Sequence, residues 1–324
     1  MTSIRSILTG YGHCLPSKVL TNDDLSKMVE TNDEWIRERT GIRSRHIAAE
    51  GEFTSDLAAK AAQKALDRAG VKPEDVDLVI VGTCTPDNTT PSTSCRVAQK
   101  LGIKGIAFDI GAACSGFVYS LTTADNMIRL GQVKTALVIG AETLSRITDW
   151  TDRNTCVLFG DGAGAVVLQA SEGQGTNDDR GILATKLFAD ASHYEDLMTT
   201  GGTSTTKTSG FVQMNGKEVF RNAIPDLSEA AENVMQQVGV TIKDIDWLIP
   251  HQANTRIIDG VGKKLEIADE KVIVTVDHHG NTSAASIPLA LSENMEAGKV
   301  KQGDLVILNG MGAGFTWGGV LIRL

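Results

Sequence analysis

Three stretches from the first half of the chain return, in the same order, in the second. "DVDLVIVGTCTPDN" (75–88) parallels "DIDWLIPHQANT" (244–255), each a strand running into a polar loop after an amphipathic helix. "GIAFDIGAACSGFVYSL" (105–121) parallels "VIVTVDHHGNTSAASIPLAL" (272–291), each a strand, a turn of small residues and a helix. "KTALVIGAETLS" (134–145) parallels "GDLVILNGMGAG" (303–314), and both halves finish in a Gly-rich, hairpin-like strand pair. The offset is far longer than the ~20–50 residues of a solenoid repeat, so the pattern predicts a duplicated α/β unit. Short apolar runs such as "DLVIVGTC" (77–84), "TALVIGAE" (135–142) and "GAGAVVLQA" (162–170) alternate with longer amphipathic stretches. That alternation predicts sheets covered by helices on both faces. The polar, Gly-rich segment "SEGQGTNDDRGI" (171–182) is the best seam, dividing the chain into halves 1–172 and 173–324.

A chain of 324 residues, 41% of them hydrophobic, can bury a sizeable core as one large domain or two intimate ones. No apolar run approaches the ~18 residues a membrane helix needs. The opening "MTSIRSILTGYG" lacks the apolar stretch and cleavage site of a signal peptide. The five cysteines (14, 84, 95, 114 and 156) are scattered, odd in number and without CxxC pairs. They predict free thiols in a reducing compartment, hence a cytoplasmic location. A net charge of −9 counts against a nucleic-acid binder, whose domain is normally basic.

In open α/β sheets ligands gather beyond the carboxyl ends of the strands. The loops in that position carry Cys114, His251 and Asn281. Cys114 stands where a buried strand turns into a buried helix, and a helix N-terminus favours thiolate. Its small neighbours Ala112, Ala113, Ser115 and Gly116 leave room for a bulky substrate, so it is the candidate nucleophile. His251 lies in a dense polar cluster with Gln252 and Asn254, which suggests placed hydrogen-bond donors. Asn281, taken alone, reads as a turn residue or helix cap. His278 and His279 invite a metal, but no carboxylate or cysteine stands at a familiar ligand spacing, so no metal is expected. "GDGAG" (160–164) and "GMGAG" (310–314) lack a phosphate-loop context and read as tight turns.

Together "GAACSGF", "PHQAN" and "GNTSAAS" resemble β-ketoacyl-[acyl-carrier-protein] synthase III of bacterial fatty-acid synthesis. The similarity runs from "TNDEWIRERTGIRSRHIA" (31–48) through "TDRNTCVLFGDGAGAVVL" (151–168) to "GFTWGGVLIRL" (314–324). The resemblance implies a thiolase-like duplicated α/β fold, layered αβαβα around two central mixed sheets. It implies a homodimer, with acyl-CoA as substrate rather than cofactor. In the chemistry it implies, Cys114 accepts the acyl group, and His251 and Asn281 donate hydrogen bonds to the malonyl thioester as CO2 leaves. The backbone N–H groups of Cys114 and Ala313 would form a second oxyanion hole. Family contacts to coenzyme A fall on Thr31, Trp35, Arg39, Arg153 and Asn254, with Trp35 and Arg153 sandwiching the adenine. Arg221, Arg256, Lys263 and Lys264 match the surface that docks the acidic acyl carrier protein; the last three share one helical face.

Two departures bear on the acyl pocket. Thr90 stands where many members carry a Phe on a loop reaching across the dimer, and Met311 where another Phe is frequent. A smaller and a more flexible side chain predict a roomier site that accepts primers longer than acetyl. Ala313 replaces a common Gly, which is tolerable only if its φ is not positive. Three rivals compete with this reading: a synthase III-like enzyme of secondary metabolism, a silent subunit of a synthase complex, and a cysteine hydrolase with a Cys–His–Asn triad.

Overall fold

The structure, a computed structural model, describes residues 3–324. Its first sheet has five strands in the order Ser3–Cys14, Asp161–Gly173, Thr135–Thr143, Leu78–Gly82 and Ile106–Ile110. Asp161–Gly173 is antiparallel to both its neighbours, and the remaining pairs are parallel. The second sheet repeats the plan with Gly181–Ala189, Thr316–Arg323, Leu305–Gly312 and Trp247–Pro250. Again the second strand opposes both neighbours, and the last pair is parallel.

The fifth place in the second sheet is not a strand. The expected run "VIVTV" makes one parallel bridge, Leu248 to Val272. The buried Gln252 side chain replaces the rest of the ladder. Its Nε2 donates to the carbonyls of Pro250 (2.8 Å) and Ile273 (3.1 Å), and its Oε1 accepts the N–H groups of Thr275 (2.8 Å) and Val276 (3.2 Å).

Five layers result. Outside the first sheet, helices Thr54–Ala69 and Thr93–Leu101 bury Leu57, Ala61 and Val97 against Val79, Ile139 and Val167. Outside the second, Gly216–Val238 and Thr255–Lys264 bury Leu227, Val234 and Ile258 against Ile307 and Leu321. Between the sheets lie Gly116–Arg129 and Ser286–Glu296, with Phe117, Leu121, Ile287 and Leu291 packed on Ile80, Val138, Leu308 and Val320. Strands with helices on both faces carry no polar side, and every residue of Leu78–Gly82 and Thr135–Thr143 is buried. The polar seam spans a loop joining one sheet to the other, and an Arg5–Asp179 ion pair of 3.0 Å ties it down.

The Gly-rich motifs differ from their reading as turns. "GMGAG" ends a strand, whereas "GDGAG" opens one: Asp161 begins the strand Asp161–Gly173. A small hairpin, Leu197–Thr199 paired with Val212–Met214, was not foreseen. No helix among the described residues is long and apolar enough to cross a membrane.

Candidate active site

Strand Ile106–Ile110 delivers the chain to a single turn, Ala113–Ser115, which leads into helix Gly116–Arg129. Cys114 is at the centre of that turn and is buried. Ala113, just before it, has φ of 44°, and Ser283, which leads the matching turn of the second half, has φ of 48°. A left-handed conformation costs an L-residue about 1–2 kcal/mol, and such strain persists where the surroundings fix it. Ala313, in contrast, has no positive φ. Gly312 makes the turn possible from the other side: a Cβ there would lie 2.5 Å from the Cys114 nitrogen. Gly312→Ala is therefore expected to cost about 1–3 kcal/mol by overpacking. It should lower the thermal midpoint and slow alkylation of Cys114 by iodoacetamide; wild-type values for both would refute the packing argument.

Burial pushes the Cys114 thiol up to about 12. The Ser283 hydroxyl, close to the sulfur though outside ordinary hydrogen-bond geometry, pulls it down, and the Glu142 carboxyl adds to the rise. The helix N-terminus was expected to favour thiolate; burial works in the opposite direction and favours the protonated thiol. Thiolate should then grow about tenfold per pH unit. Alkylation of Cys114 by iodoacetamide, followed on its peptide by mass spectrometry, is expected to rise at that slope from about pH 7 to 9. A plateau inside that range would mean that the helix N-terminus prevails.

His251 follows strand Trp247–Pro250, and its N–H donates to the Asn309 carbonyl at 2.8 Å. Its Nδ1 lies 2.7 Å from Ser286 Oγ, which also accepts the Gln252 N–H at 3.3 Å. A Ser286 hydroxyl that donates to Nδ1 leaves the ring proton on Nε2. Burial lowers His251 to about 4, which favours the neutral ring, and in that tautomer Nε2–H is a donor. Asn281 is fixed as firmly. Its Oδ1 accepts the Ser283 N–H at 2.9 Å, which leaves Nδ2 as the free end. Its backbone bonds Leu158 O (2.8 Å) and Gly160 N (3.0 Å). Asn281 therefore does not orient His251, and the hydrolase-type triad is absent.

Cys114, His251, Asn281 and Ala313 line one cavity of about 320 Å³. Its remaining wall is mainly apolar and includes Met311, Leu227 and Phe220, with the hairpin residues Leu197 and Met214. An outer groove lined by Trp35, Arg39 and Arg256 meets the cavity at Asn254 and Phe220. Asn254 caps helix Thr255–Lys264 by accepting the Ile257 N–H at 3.0 Å. Asn32 does the same for helix Asp33–Thr40, whose Trp35 N–H it accepts at 2.8 Å.

The other expected contacts divide. The guanidinium groups of Arg39 and Arg153 lie 4.8 and 4.7 Å from the Trp35 ring centre. An adenine between Trp35 and Arg153 needs two stacking distances, about 7 Å, so Arg153 must swing out to admit it. Thr31 does not line the groove, and its hydroxyl is buried without a partner. Thr90 is exposed and does not line the cavity of its own chain. Arg256, Lys263 and Lys264 are exposed on helix Thr255–Lys264, which packs on the helix carrying exposed Arg221.

Sequence reasoning missed Ser283, Ser286 and Glu142. Glu142 is fully buried; it accepts the Cys84 and Thr85 N–H groups (both 3.1 Å) and the Thr83 hydroxyl (3.1 Å), holding the loop beside Cys114. Among the described residues, the one cluster of metal-type ligands lies outside the cavity, at His278, His279 and Glu293.

Residues 108–191 match the family model for 3-oxoacyl-[acyl-carrier-protein] synthase III, and residues 235–324 match that for its C-terminal part. The chain is 58% identical over 321 residues to the β-ketoacyl-[acyl-carrier-protein] synthase III of Rhodospirillum centenum, covering 99% of each. A solved 3-oxoacyl-[acyl-carrier-protein] synthase III from Aquifex aeolicus is 48% identical with a TM-score of 0.92, covering 98% of this chain and 100% of that one. The priming β-ketosynthase of the R1128 polyketide pathway is 34% identical with a TM-score of 0.92, covering 98% and 96%.

Proposed function

The chain belongs to the β-ketoacyl-[acyl-carrier-protein] synthase III family, and we propose that Cys114 carries the acyl group that its cavity joins to a malonyl unit. One observation supports this most: two neutral donors, His251 Nε2–H and Asn281 Nδ2–H, share a cavity with a buried thiol. In the first half-reaction Cys114 sulfur bonds the acyl carbon of acyl-CoA. The bond to coenzyme A breaks, and its sulfur takes the thiol proton. Malonyl-acyl carrier protein follows. As its carboxylate leaves as CO2, the bonding pair moves into the thioester, and His251 and Asn281 hold the developing oxyanion. The resulting carbon attacks the acyl carbonyl, whose oxygen faces the N–H groups of Cys114 and Ala313. Collapse releases 3-ketoacyl-carrier protein and the Cys114 thiolate, which takes up one proton. This reaction initiates fatty-acid synthesis.

In this reading Trp35, Arg39, Arg153 and Asn254 receive the nucleotide of coenzyme A, which is a substrate, and no cofactor takes part. Arg221, Arg256, Lys263 and Lys264 receive the acidic carrier protein, since steering depends on local sign and not on net charge. The enzyme is a cytoplasmic homodimer of two-half chains, 1–172 and 173–324, and Thr90 reaches the partner's acyl pocket. A largely apolar cavity with Met311 on its wall supports primers longer than acetyl.

The test is intact-protein mass after incubation with acetyl-, isobutyryl-, hexanoyl- and octanoyl-CoA, followed by malonyl-carrier protein. Adducts with the longer chains that clear on condensation are expected. An adduct with acetyl alone would sink the roomy pocket; no adduct at all would sink the acyl-enzyme.

A further inference from the structure

We propose that His278, His279 and Glu293 form a site for a divalent transition-metal ion, separate from the catalytic cavity. Glu293 reaches both rings: His278 Nε2 lies 3.1 and 3.2 Å from its two oxygens, and His279 Nε2 lies 2.9 Å from Oε2. One ligand atom from each residue falls within 4.8 Å of the others. Zinc bound at ~2.0–2.2 Å to N and O in a tetrahedron spaces its ligand atoms about 3.3 Å apart, so small rotations suffice. Behind His278, its Nδ1 meets Asp277 Oδ1 at 2.8 Å. A carboxylate on the far nitrogen is the arrangement that aims an imidazole at a metal and raises its basicity.

The ligands come from two elements that the fold presses together, the turn Val276–His279 and helix Ser286–Glu296. That is why the expectation of no metal, based on ligand spacing in the sequence, missed the carboxylate. His279 is buried and His278 half-exposed, so the site has a fixed wall and a solvent side. Two imidazoles and one carboxylate leave a place for water and suit zinc, cobalt, nickel or copper better than magnesium or calcium.

The test uses tag-free, chelator-stripped protein titrated with Co2+ and, by equilibrium dialysis, with Zn2+. Half-exposed His278 is the ligand to change, because replacing buried His279 would endanger folding. One Co2+ per chain with visible d–d absorption is expected, with affinity falling about 100-fold in His278→Ala and Glu293→Gln. Binding should be retained in Cys114→Ser and in His193→Ala, a control on the separate His193–Asp196 pair. Circular dichroism checks that each variant is folded. Unchanged affinity in folded His278→Ala, or no specific Co2+ spectrum in the wild type, would overturn the proposal and leave an ion-pair cluster. Loss of the site in Cys114→Ser, with thiolate charge-transfer absorption, would place the ion on the catalytic sulfur and overturn it equally.

Discussion

Cys114→Ala is expected to abolish the acyl adduct and to lower condensation at least ~10⁴-fold, while decarboxylation of malonyl-carrier protein continues. The two half-reactions depend on different groups. Acyl transfer needs the sulfur. Loss of CO2 needs N–H donors at the malonyl thioester, and neither His251 nor Asn281 is oriented by Cys114. Ser286 fixes the histidine, and the Ser283 N–H fixes the asparagine. Removing one sulfur from a buried turn leaves both donors in place. Intact mass reads the adduct, and release of labelled CO2 reads decarboxylation in the same variant.

Cys84 makes this experiment sharper. It borders the same cavity and is exposed there, so it is the obvious substitute nucleophile. What separates it from Cys114 is a partner: its thiol donates to the Glu142 carboxyl at 3.3 Å, which ties up the sulfur. No adduct should therefore move to Cys84 when Cys114 is gone. An acyl group found on Cys84, or simultaneous loss of decarboxylation in a folded protein, would contradict the division of labour.

How much of this was legible in the sequence follows from what kind of interaction fixes each part. The duplicated plan was legible because buried strands such as Leu78–Gly82 announce themselves as apolar runs, and their order repeats. Cys114, His251 and Asn281 were legible because they occupy loops that the duplication brings to one end. What a side chain does at long range was not legible. Gln252 cuts the expected strand at 272–276 through three hydrogen bonds, to Ile273, Thr275 and Val276, that no local pattern encodes. The hairpin over the cavity flanks a Thr-, Gly- and Ser-rich stretch, 200–210, whose composition reads as loop. The state of the Cys114 thiol depends also on burial, a property of the folded chain, whereas only its position at a helix start is visible in the sequence. Trp35, Arg153 and Arg221 carry no signal of their own; only the family resemblance singled them out.

His251→Ala and Asn281→Ala should each lower decarboxylation about 10²–10³-fold, the usual cost of removing one oxyanion donor. Both should still form the acyl adduct, because the thiol proton leaves on coenzyme A and not on the ring. The protonation state of His251 supplies an independent check. Burial puts its pKa at about 4, so a neutral Nε2–H serves at every working pH. A group lowered in this way is charged only below about 4, and decarboxylation should show no histidine titration between about pH 6 and 8. If His251 were instead a general base for Cys114, His251→Ala would lose acylation together with decarboxylation, and acylation would follow an imidazole pKa. Ser286→Ala separates the two roles further: without its hydroxyl the Nε2–H tautomer is no longer fixed, so decarboxylation should fall while acylation holds. A variant that lost acylation first would make His251 a base, and the donor geometry at Asn281 would then act alone on the malonyl thioester.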